Sequence, residues 1–258
     1  MSANGEGLGR VLRVALGLCL VCSVVVSTAA VLLKPAQQAN KTLDLKRNIL
    51  MAAGLLDPAL SVEEQFEQVE TRVVDLDQGR FVGDVDPVAF DQREAAKDPA
   101  QSRAIPGDED PAKLVRREDR ALVYLVRDDS GELNKIILPI RGYGLWSTLY
   151  GFMALESDGN TVAGLGFYEH AETPGLGGEI DNPNWKAIWP GKQVFREDQV
   201  AIQVLKGAVP AGSREKQWQV DGLSGATLTT KGVDNLVRYW MGDQGFKPLL
   251  ENLRRGEA

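Results

Sequence analysis

Ala121-Leu-Val-Tyr-Leu-Val126 and Leu133-Asn-Lys-Ile-Ile-Leu-Pro-Ile140 are the two apolar runs that decide the fold class. Asp128-Asp-Ser-Gly131 lies between them and contains residue types that favour tight turns. Two strand-like runs around such a turn are typical of a β-hairpin. The same pattern recurs at residues 152–156 and 161–168, which predicts a second hairpin directly after the first.

Helical patterns lie on both sides of these hairpins. Ser61-Val-Glu-Glu64 has the sequence of a capping box, and Pro87 could occupy the first position of a helix. The chain as a whole predicts helices at 41–55, 61–70, 86–97, 235–241 and 246–253, further strands at 73–76, 199–205 and 217–220, and a solvated loop at 98–110. These elements predict an α+β fold, a mostly antiparallel sheet with flanking helices.

An uncharged run near the N-terminus predicts one transmembrane helix before this domain. Residues 14–33 read VALGLCLVCSVVVSTAAVLL, and 20 helical residues span a hydrocarbon layer of about 30 Å. A cleaved signal peptide is the alternative, with Arg10 and Arg13 as its basic region and 27–29 as its cleavage site. The run continues beyond that site to residue 33, which favours a retained anchor.

The anchor divides the chain into four parts. We expect a short cytoplasmic segment at 1–13, the transmembrane helix at 14–33, a helical or mixed membrane-proximal region at 34–115, and the ligand-binding domain at 116–258. Basic residues flank the span on both sides, so charge alone leaves its orientation open. A short N-terminus followed by a large domain is typical of an anchor whose bulk lies outside the cytoplasm.

Composition excludes several kinds of site. The chain has 258 residues, 29 Lys and Arg against 36 Asp and Glu, and a net charge of −7, which argues against nucleic acid as a partner. His170, Cys19 and Cys22 are its only histidine and cysteines, so it cannot supply a four-ligand zinc site of thiolates and imidazoles. The cysteines lie within the apolar span and are interpreted as packing residues. The only metal site left open is one shared with thiols of another subunit.

The stretch Asp221-Gly-Leu-Ser-Gly-Ala-Thr227, followed by a helical pattern, carries the clearest chemical signal. Its small residues allow a bulky ligand to approach the backbone, and a helix start attracts phosphate. A threonine hydroxyl stands at this turn, and two lysines are candidate counter-charges. These residues are Ser224, Gly225, Ala226, Thr227, Lys206 and Lys231. An ordinary capped helix after a glycine turn is the alternative.

This stretch resembles the D-G-x-[ST]-G-A-[ST] sequence at which a flavin transferase attaches FMN. A second stretch, Glu169-His-Ala-Glu-Thr-Pro-Gly-Leu-Gly177, is similar to the H-x-E-T-P-G-L-G signature of FMN-binding domains. With Asn48-Ile-Leu-Met-Ala-Ala-Gly-Leu55 and Arg141-Gly-Tyr-Gly-Leu-Trp-Ser147, the whole chain resembles the family of C subunits of the sodium-translocating NADH:quinone reductase. The related G subunit of Rnf-type complexes is the alternative family.

The resemblance implies a covalent cofactor and the residues that surround it. FMN would be joined by a phosphoester to Thr227, and Thr229 and Thr230 are the next candidates for attachment. Backbone near two glycines would approach the flavin ring, Leu176 would pack on its face, and two polar side chains would contact the ring or its ribityl chain. Two apolar side chains would form a second wall. The residues in these roles are Gly175, Gly177, Leu176, Glu172, Thr173, Leu145 and Trp146.

The resemblance also implies an electron relay within a larger complex. The flavin would take electrons from an iron–sulfur centre in a neighbouring subunit and pass them to another flavin, towards quinone, coupled to sodium export. The implied partners are the flavin- and iron–sulfur-bearing membrane subunits, a flavin transferase and membrane lipid. The implied place is a bacterial inner membrane, with the FMN domain periplasmic. No GxGxxG loop between a strand and a helix is present, so NADH oxidation would belong to a partner.

Two further alternatives belong to other classes. One is a membrane module that binds FMN without a covalent bond. The other is a hydrolase that uses His170 with a serine. A flavin carrier needs no general base, so we expect His170 to shape its turn through hydrogen bonds, and Asp221 to orient the attachment loop.

Overall fold

The computed structural model describes residues 4–128 and 130–258. The chain divides into two compact units, and the boundary between them lies between Leu45 and Lys46. Asp129, part of the predicted hairpin turn, and residues 1–3 of the predicted N-terminal segment lie outside the described residues.

The helices are α1 (Asn4–Ala52), α2 (Val62–Phe66), α3 (Gln92–Lys97), α4 (Pro183–Lys186), α5 (Thr227–Trp240) and α6 (Lys247–Arg255). Short 3₁₀ turns occupy Gly177–Asp181 and Lys216–Trp218. The strands are β1 (Val69–Asp75), β2 (Arg80–Val82), β3 (Ser102–Ala104), β4 (Arg116–Glu118), β5 (Arg120–Arg127), β6 (Leu133–Tyr143), β7 (Thr148–Glu156), β8 (Val162–Glu169), β9 (Phe195–Arg196), β10 (Gln199–Val200), β11 (Gln203–Val204) and β12 (Gln219–Val220).

Helix α1 contains the predicted transmembrane run. Among the described helices it is the one long and apolar enough to cross a membrane, with a mean hydropathy of 2.5 over its most apolar window. Its apolar side chains between Leu8 and Leu33 are exposed, as expected of a lipid-facing surface. The helix contains Pro35 and ends at Ala52, so it includes most of the helix predicted at 41–55, which was expected to continue from the anchor.

The principal sheet has the strand order β2-β1-β5-β6-β7-β8 among the described residues. Every neighbouring pair is antiparallel, which confirms the predicted α+β class. The longest pairing joins β6 to β7, from Lys135 opposite Glu156 to Tyr143 opposite Thr148. Both predicted hairpins therefore belong to one sheet, and β1 and β2 extend it with residues from the predicted membrane-proximal region.

Alternate residues of the central strands are buried on opposite faces of the sheet. Ile136, Leu138 and Ile140 belong to a large apolar cluster that also contains residues of α5 and α6. Ile137 lies between them in sequence and is equally buried, but it belongs to the other face. Because both faces are covered, the strands read as near-continuous apolar runs rather than as a strict alternation.

Several predicted elements have different boundaries. The capping box at Ser61 is confirmed, but α2 ends at Phe66 and β1 begins three residues later. The helix predicted at 86–97 is wrong in its first half, because Asp91 accepts hydrogen bonds from the N–H groups of Arg93 and Glu94 and so begins α3 there.

The C-terminal predictions differ in the same way. The strand predicted at 199–205 is two short strands, β10 and β11, and the one predicted at 217–220 is a 3₁₀ turn followed by β12. Helix α5 begins at Thr227 rather than at 235, so the predicted attachment residue is its first residue.

Close backbone contact positions α5 against the end of β6. A Cβ atom added at Gly232 would lie 2.6 Å from the carbonyl oxygen of Tyr143 and 2.9 Å from the Cα atom of Gly144. The indole N–H of Trp240 donates to the carbonyl of Arg141 at 2.7 Å. The helix is thus fixed at both ends of this contact, and its N-terminus lies beside the β6–β7 turn.

We expect Gly232→Val to lower the free energy of unfolding by about 1–3 kcal/mol, because the added atoms meet rigid backbone. Arg238→Val places the same side chain at an exposed position of the same helix and should change stability by no more than about 0.5 kcal/mol. Urea unfolding of the flavin-free chain in detergent, followed by tryptophan fluorescence, measures both. Equal stability of the two variants would contradict this account of the contact.

Candidate functional site

Glu172 joins the two sequence motifs. One carboxylate oxygen, Oε2, accepts a hydrogen bond of 2.6 Å from the Thr229 hydroxyl in the first turn of α5. The other, Oε1, accepts the backbone N–H groups of Leu145 and Trp146, each at 2.9 Å. The side chain is only 5% exposed. Three segments far apart in sequence therefore meet at one buried carboxylate.

The charge of this carboxylate is stabilised by the donors around it. Burial alone would raise the pKa of Glu172, but the hydrogen bond from the Thr229 hydroxyl and those from backbone N–H groups at 145–147 outweigh it. The pKa is consequently held below its ordinary value, and Glu172 is ionised at neutral pH. A buried carboxylate whose oxygens already accept bonds from its own chain acts as an organiser of the site.

Gly177 makes room for this arrangement. A Cβ atom there would lie 2.5 Å from Oγ1 of Thr229 and 2.6 Å from Oε2 of Glu172, so any side chain would separate the two. The preceding turn is closed by the carbonyl of Thr173, which accepts the N–H groups of Leu176 and Gly178. Gly175 has a φ of +77°, a conformation that glycine adopts at little cost.

The attachment loop is held by its own polar groups. Oδ1 of Asp221 accepts the N–H of Val209 at 2.7 Å, and its carbonyl accepts the indole N–H of Trp185 at 2.8 Å. The Thr230 hydroxyl accepts the N–H of Leu223 at 3.0 Å. These bonds agree with the predicted loop-orienting role of Asp221.

Accessibility separates the three candidate threonines. Thr229 and Thr230 are buried, and each hydroxyl is engaged in the hydrogen bonds described above. Thr227 is exposed, as is Ser224 three residues earlier. The residue before Thr227 is Ala226, which has no side-chain oxygen to cap the helix. The first turn of α5 therefore presents its backbone N–H groups and the Thr227 hydroxyl together.

Exposed apolar side chains lie on the segments that border Thr227. Trp146 is 63% exposed, Leu176 47% and Leu228 59%, and Leu145 is also exposed. Leu176 lies beside the attachment loop, since a Cβ atom added at Gly225 would be 3.4 Å from its Cδ2 atom. Large apolar groups are exposed to water at a cost, so exposed apolar side chains grouped in this way mark a candidate binding surface.

The structure thus brings most of the predicted site residues to one region. Lys206 is exposed in a short turn whose next residue, Gly207, accepts the N–H of Gly222 within the attachment loop. Its contact with a phosphate, like the ring contacts of Glu172 and Thr173, stays a prediction. Within the described ranges, no group of three or more His, Cys, Asp or Glu side chains could hold a metal ion.

Sequence reasoning missed four contributors to this region. Tyr143 and Leu228 add to the exposed apolar surface, and the Ser147 hydroxyl accepts the N–H of Ala171 at 2.7 Å. Thr229 was an alternative attachment residue, whereas the structure gives it the buried bond to Glu172. The only available signal was the repeated threonine at the helix start, which does not distinguish attachment from support.

His170 forms hydrogen bonds that differ from those of a catalytic triad. One ring nitrogen, Nε2, lies 2.7 Å from Oδ2 of Asp181, and the other, Nδ1, accepts the backbone N–H of Glu172 at 3.2 Å. Both nitrogens are therefore engaged with groups other than a serine hydroxyl. This arrangement favours the turn-shaping role over the hydrolase.

A separate groove of about 350 Å³ is lined by the end of α1, by β8 and by α4, and includes Met51, Gly164 and Lys186. Neither Thr227 nor the apolar side chains around it line this groove. Its position gives no reason to place a ligand bonded to Thr227 there.

We expect Glu172→Gln to lower the free energy of unfolding by about 2–3 kcal/mol at neutral pH. Glutamine replaces one carboxylate oxygen by an NH₂ group, which must face N–H or O–H groups that are themselves donors. The lowered pKa of Glu172 stabilises the folded chain at pH values above the ordinary glutamate pKa of about 4.3. This stabilisation is lost as the pH falls through the lower pKa of Glu172 in the folded state. The difference between variant and wild type should therefore shrink below about pH 4.

Urea unfolding between about pH 3 and pH 8 measures this difference. Glu179→Gln is the matched control, since it makes the same change on the neighbouring 3₁₀ turn, and its effect should be smaller. A difference between Glu172→Gln and wild type that stayed constant over the whole pH range would be the contrary result.

Comparisons with known proteins agree with this geometry. Residues 144–242, which contain both motifs and the residues around Glu172, match the FMN-binding domain family. The chain is 54% identical over 261 residues to the C subunit of the Na(+)-translocating NADH-quinone reductase of Pseudomonas aeruginosa, covering 99% of this chain and 100% of that protein. It is 47% identical over 258 residues to the protein of the same name from Vibrio anguillarum, covering 99% of each.

Two solved structures have the same fold. The crystal structure of NqrC from Shewanella oneidensis has a TM-score of 0.77 and 37% identity, over 84% of this chain and 99% of that one. The C subunit of the reductase from Parabacteroides distasonis has a TM-score of 0.66 and 29% identity, over 84% and 96%. With relatives of this identity along nearly its full length, the chain belongs to the family of C subunits of the Na(+)-translocating NADH-quinone reductase.

Proposed function

We propose that this chain is the membrane-anchored subunit that relays electrons in a Na(+)-translocating NADH:quinone reductase, and that it carries FMN as a phosphoester on Thr227. The observation that carries the proposal is the selective exposure of the Thr227 hydroxyl at the start of α5. The two neighbouring threonine hydroxyls are buried and already bonded.

The start of α5 suits a phosphate. Backbone N–H groups in the first turn lack helical partners, and the helix dipole favours negative charge there. Ser224 and Gly225 are exposed on the loop before the helix, and Gly225 has a φ of +75°, so the backbone turns without a side chain in the way. Lys206 is a counter-charge for the same phosphate in this proposal.

Formation of the bond needs a flavin nucleotide donor with a leaving group on its phosphorus. The Thr227 oxygen replaces that leaving group, and the hydroxyl proton is released. A flavin transferase is the proposed maturation partner. The phosphate charge formed in this way lies at the positive end of α5.

The exposed apolar side chains are the proposed bed for the flavin ring. Leu176 covers one face, and Leu145 and Trp146 form the second wall. The Glu172 carboxylate fixes the N–H groups of both wall residues, and Gly177 allows it to do so. Glu172 is in this proposal an organiser beneath the site, and Thr173 and Gly175 shape the turn that presents Leu176.

FMN, when bound, supplies chemistry in which electrons are accepted and passed on one at a time. The chain's own residues hold the ring near the surface, so that iron–sulfur- and flavin-bearing partner subunits can approach it. The chain has no dinucleotide loop, so NADH oxidation is assigned to a partner. Membrane lipid surrounds residues 14–33, which contain no carboxylate to coordinate sodium, so the sodium path is assigned to a partner.

Two observations weigh against the alternatives. The relatives, 47% and 54% identical over nearly the full length, bear the name of the quinone reductase subunit rather than of an Rnf-type subunit. A module that held FMN without a covalent bond would need affinity from an enclosed cavity, whereas Thr227 and its apolar neighbours lie at the surface.

Thr227→Ala, expressed together with the flavin transferase, should abolish covalent FMN. Thr227→Ser is the matched control and should retain at least part of it, because it keeps the hydroxyl. Flavin fluorescence of the denatured band and the mass of the peptide spanning 217–231 measure attachment. Covalent FMN in the alanine variant would move the assignment to Thr229 or Thr230, and a colourless wild type would contradict the proposal itself.

The proposed topology places the N-terminus in the cytoplasm and the larger unit in the periplasm, behind a retained anchor. Val88 is 94% exposed, so Val88→Cys offers a single accessible thiol on that unit. We expect a membrane-impermeant maleimide to label it in intact spheroplasts. The wild type, whose two cysteines lie within the apolar run, is the unlabelled control. Labelling that required lysis would reverse the orientation.

A further inference from the structure

His170 occupies a position from which it can control the organiser of the site. It is the residue after the end of β8 and lies two residues before Glu172. Its ring is largely buried, and its two nitrogens bond to two different parts of the structure: the Asp181 carboxylate and the backbone N–H of Glu172.

The geometry defines the protonation state of the ring. Nδ1 accepts the N–H of Glu172, so it must carry a lone pair rather than a hydrogen. Nε2 must then carry the hydrogen and donate it to Oδ2 of Asp181. The ring is therefore neutral in this arrangement. A second proton on Nδ1 would point at the N–H of Glu172 and break that bond.

Charged groups surround the ring on each neighbouring element. Asp181 comes from the 3₁₀ turn, and Lys186 of α4 lies 3.3 Å from its other oxygen. Glu169, at the end of β8, forms two hydrogen bonds with Arg93 of α3. The Glu172 carboxylate faces away, towards Thr229 and the N–H groups of 145 and 146. Asp181 is thus the charged group in direct contact with the ring.

The bonds of Glu172 extend from His170 to the proposed flavin bed. The ring holds the backbone of Glu172, and the carboxylate of the same residue holds Leu145, Trp146 and Thr229. A change at the ring therefore acts on one residue that fixes both the apolar wall and the first turn of α5. Ser147 adds a parallel bond to the N–H of Ala171, which keeps the rest of the turn in place.

We propose that His170 is a positioning residue whose neutral form holds Glu172 in place, and that protonation of its ring releases the Glu172 backbone and loosens the wall formed by Leu145 and Trp146. Its effect on a bound flavin rests on the function proposed above. The effect on the chain itself does not, so the two can be tested separately.

His170→Gln is the decisive variant. A glutamine amide has one acceptor and one donor, as the neutral ring has, but it does not titrate. His170→Ala lacks both groups. Nuclear magnetic resonance of the ¹⁵N-labelled full chain in detergent, in the flavin-free Thr227→Ala background, reports the backbone amides of Glu172, Leu145 and Trp146.

At neutral pH, His170→Ala should accelerate hydrogen exchange of the Glu172 amide about fivefold, as expected for one lost hydrogen bond. His170→Gln should stay within about twofold of the chain with His170, because its acceptor restores that bond. Unchanged exchange in the alanine variant would overturn the proposal.

The pH profile separates positioning from simple packing. Histidine changes charge between about pH 5 and pH 8, so the amide shifts of Glu172, Leu145 and Trp146 should move together over that range when His170 is present. They should stay constant in His170→Gln.

A transition that persisted unchanged in His170→Gln would assign the titration to another group and refute the role of His170. In the flavin-loaded chain, the visible flavin spectrum should follow the same transition. If the amide shifts behave as expected but the flavin spectrum does not change, His170 does position Glu172. The result would then contradict the proposed contact between the flavin ring and the wall formed by Leu145 and Trp146. If the loaded chain cannot be made at all, only the attachment assignment fails.

Discussion

A buried carboxylate must have its charge compensated, and this requirement at Glu172 organises the site. Removing an ionised group from water is costly unless donors surround it. The chain provides two backbone N–H groups from the β6–β7 turn and one hydroxyl from α5. Each of these segments is therefore fixed relative to the turn that carries Glu172, and the exposed apolar side chains follow from that arrangement.

The sheet makes this meeting possible by bringing its chain ends together. β6 and β7 pair as far as Tyr143 and Thr148, so the turn between them lies at the same end of the sheet as the last residue of β8. α5 lies close enough to reach that turn only because Gly232 faces the backbone of Tyr143 and Gly144. The absence of one side chain on the helix thus sets the distance at which Thr229 meets Glu172.

Local signals in the sequence were sufficient for the fold class and for the two motifs. Both hairpins, the capping box at Ser61 and the apolar run of α1 depend on neighbours within a few residues, and the structure contains all of them. The sequence alone does not decide where α3 begins, because Asp86 and Asp91 are both suitable N-cap residues. In the structure Asp91 is the N-cap.

The interior of the site could not be read from the sequence. The bond from Thr229 to Glu172 joins residues 57 positions apart, and no periodicity reports such a pairing. A single sequence likewise cannot tell an exposed threonine from a buried one two residues later. The family resemblance named Thr227 as the candidate attachment residue, and burial supplies the physical reason why its neighbours are poorer candidates.

The last turn of α1 belongs to the interior of the larger unit. Ile49, Leu50 and Ala52 are almost completely buried there, and the carbonyl of Ala52 occupies the space that a side chain at Gly164 on β8 would need. A truncated, water-soluble version of this protein would therefore have to begin no later than Lys46, the first residue of the larger unit. A cut only ten residues later would remove these side chains and expose to water the part of β8 around Gly164 that they cover.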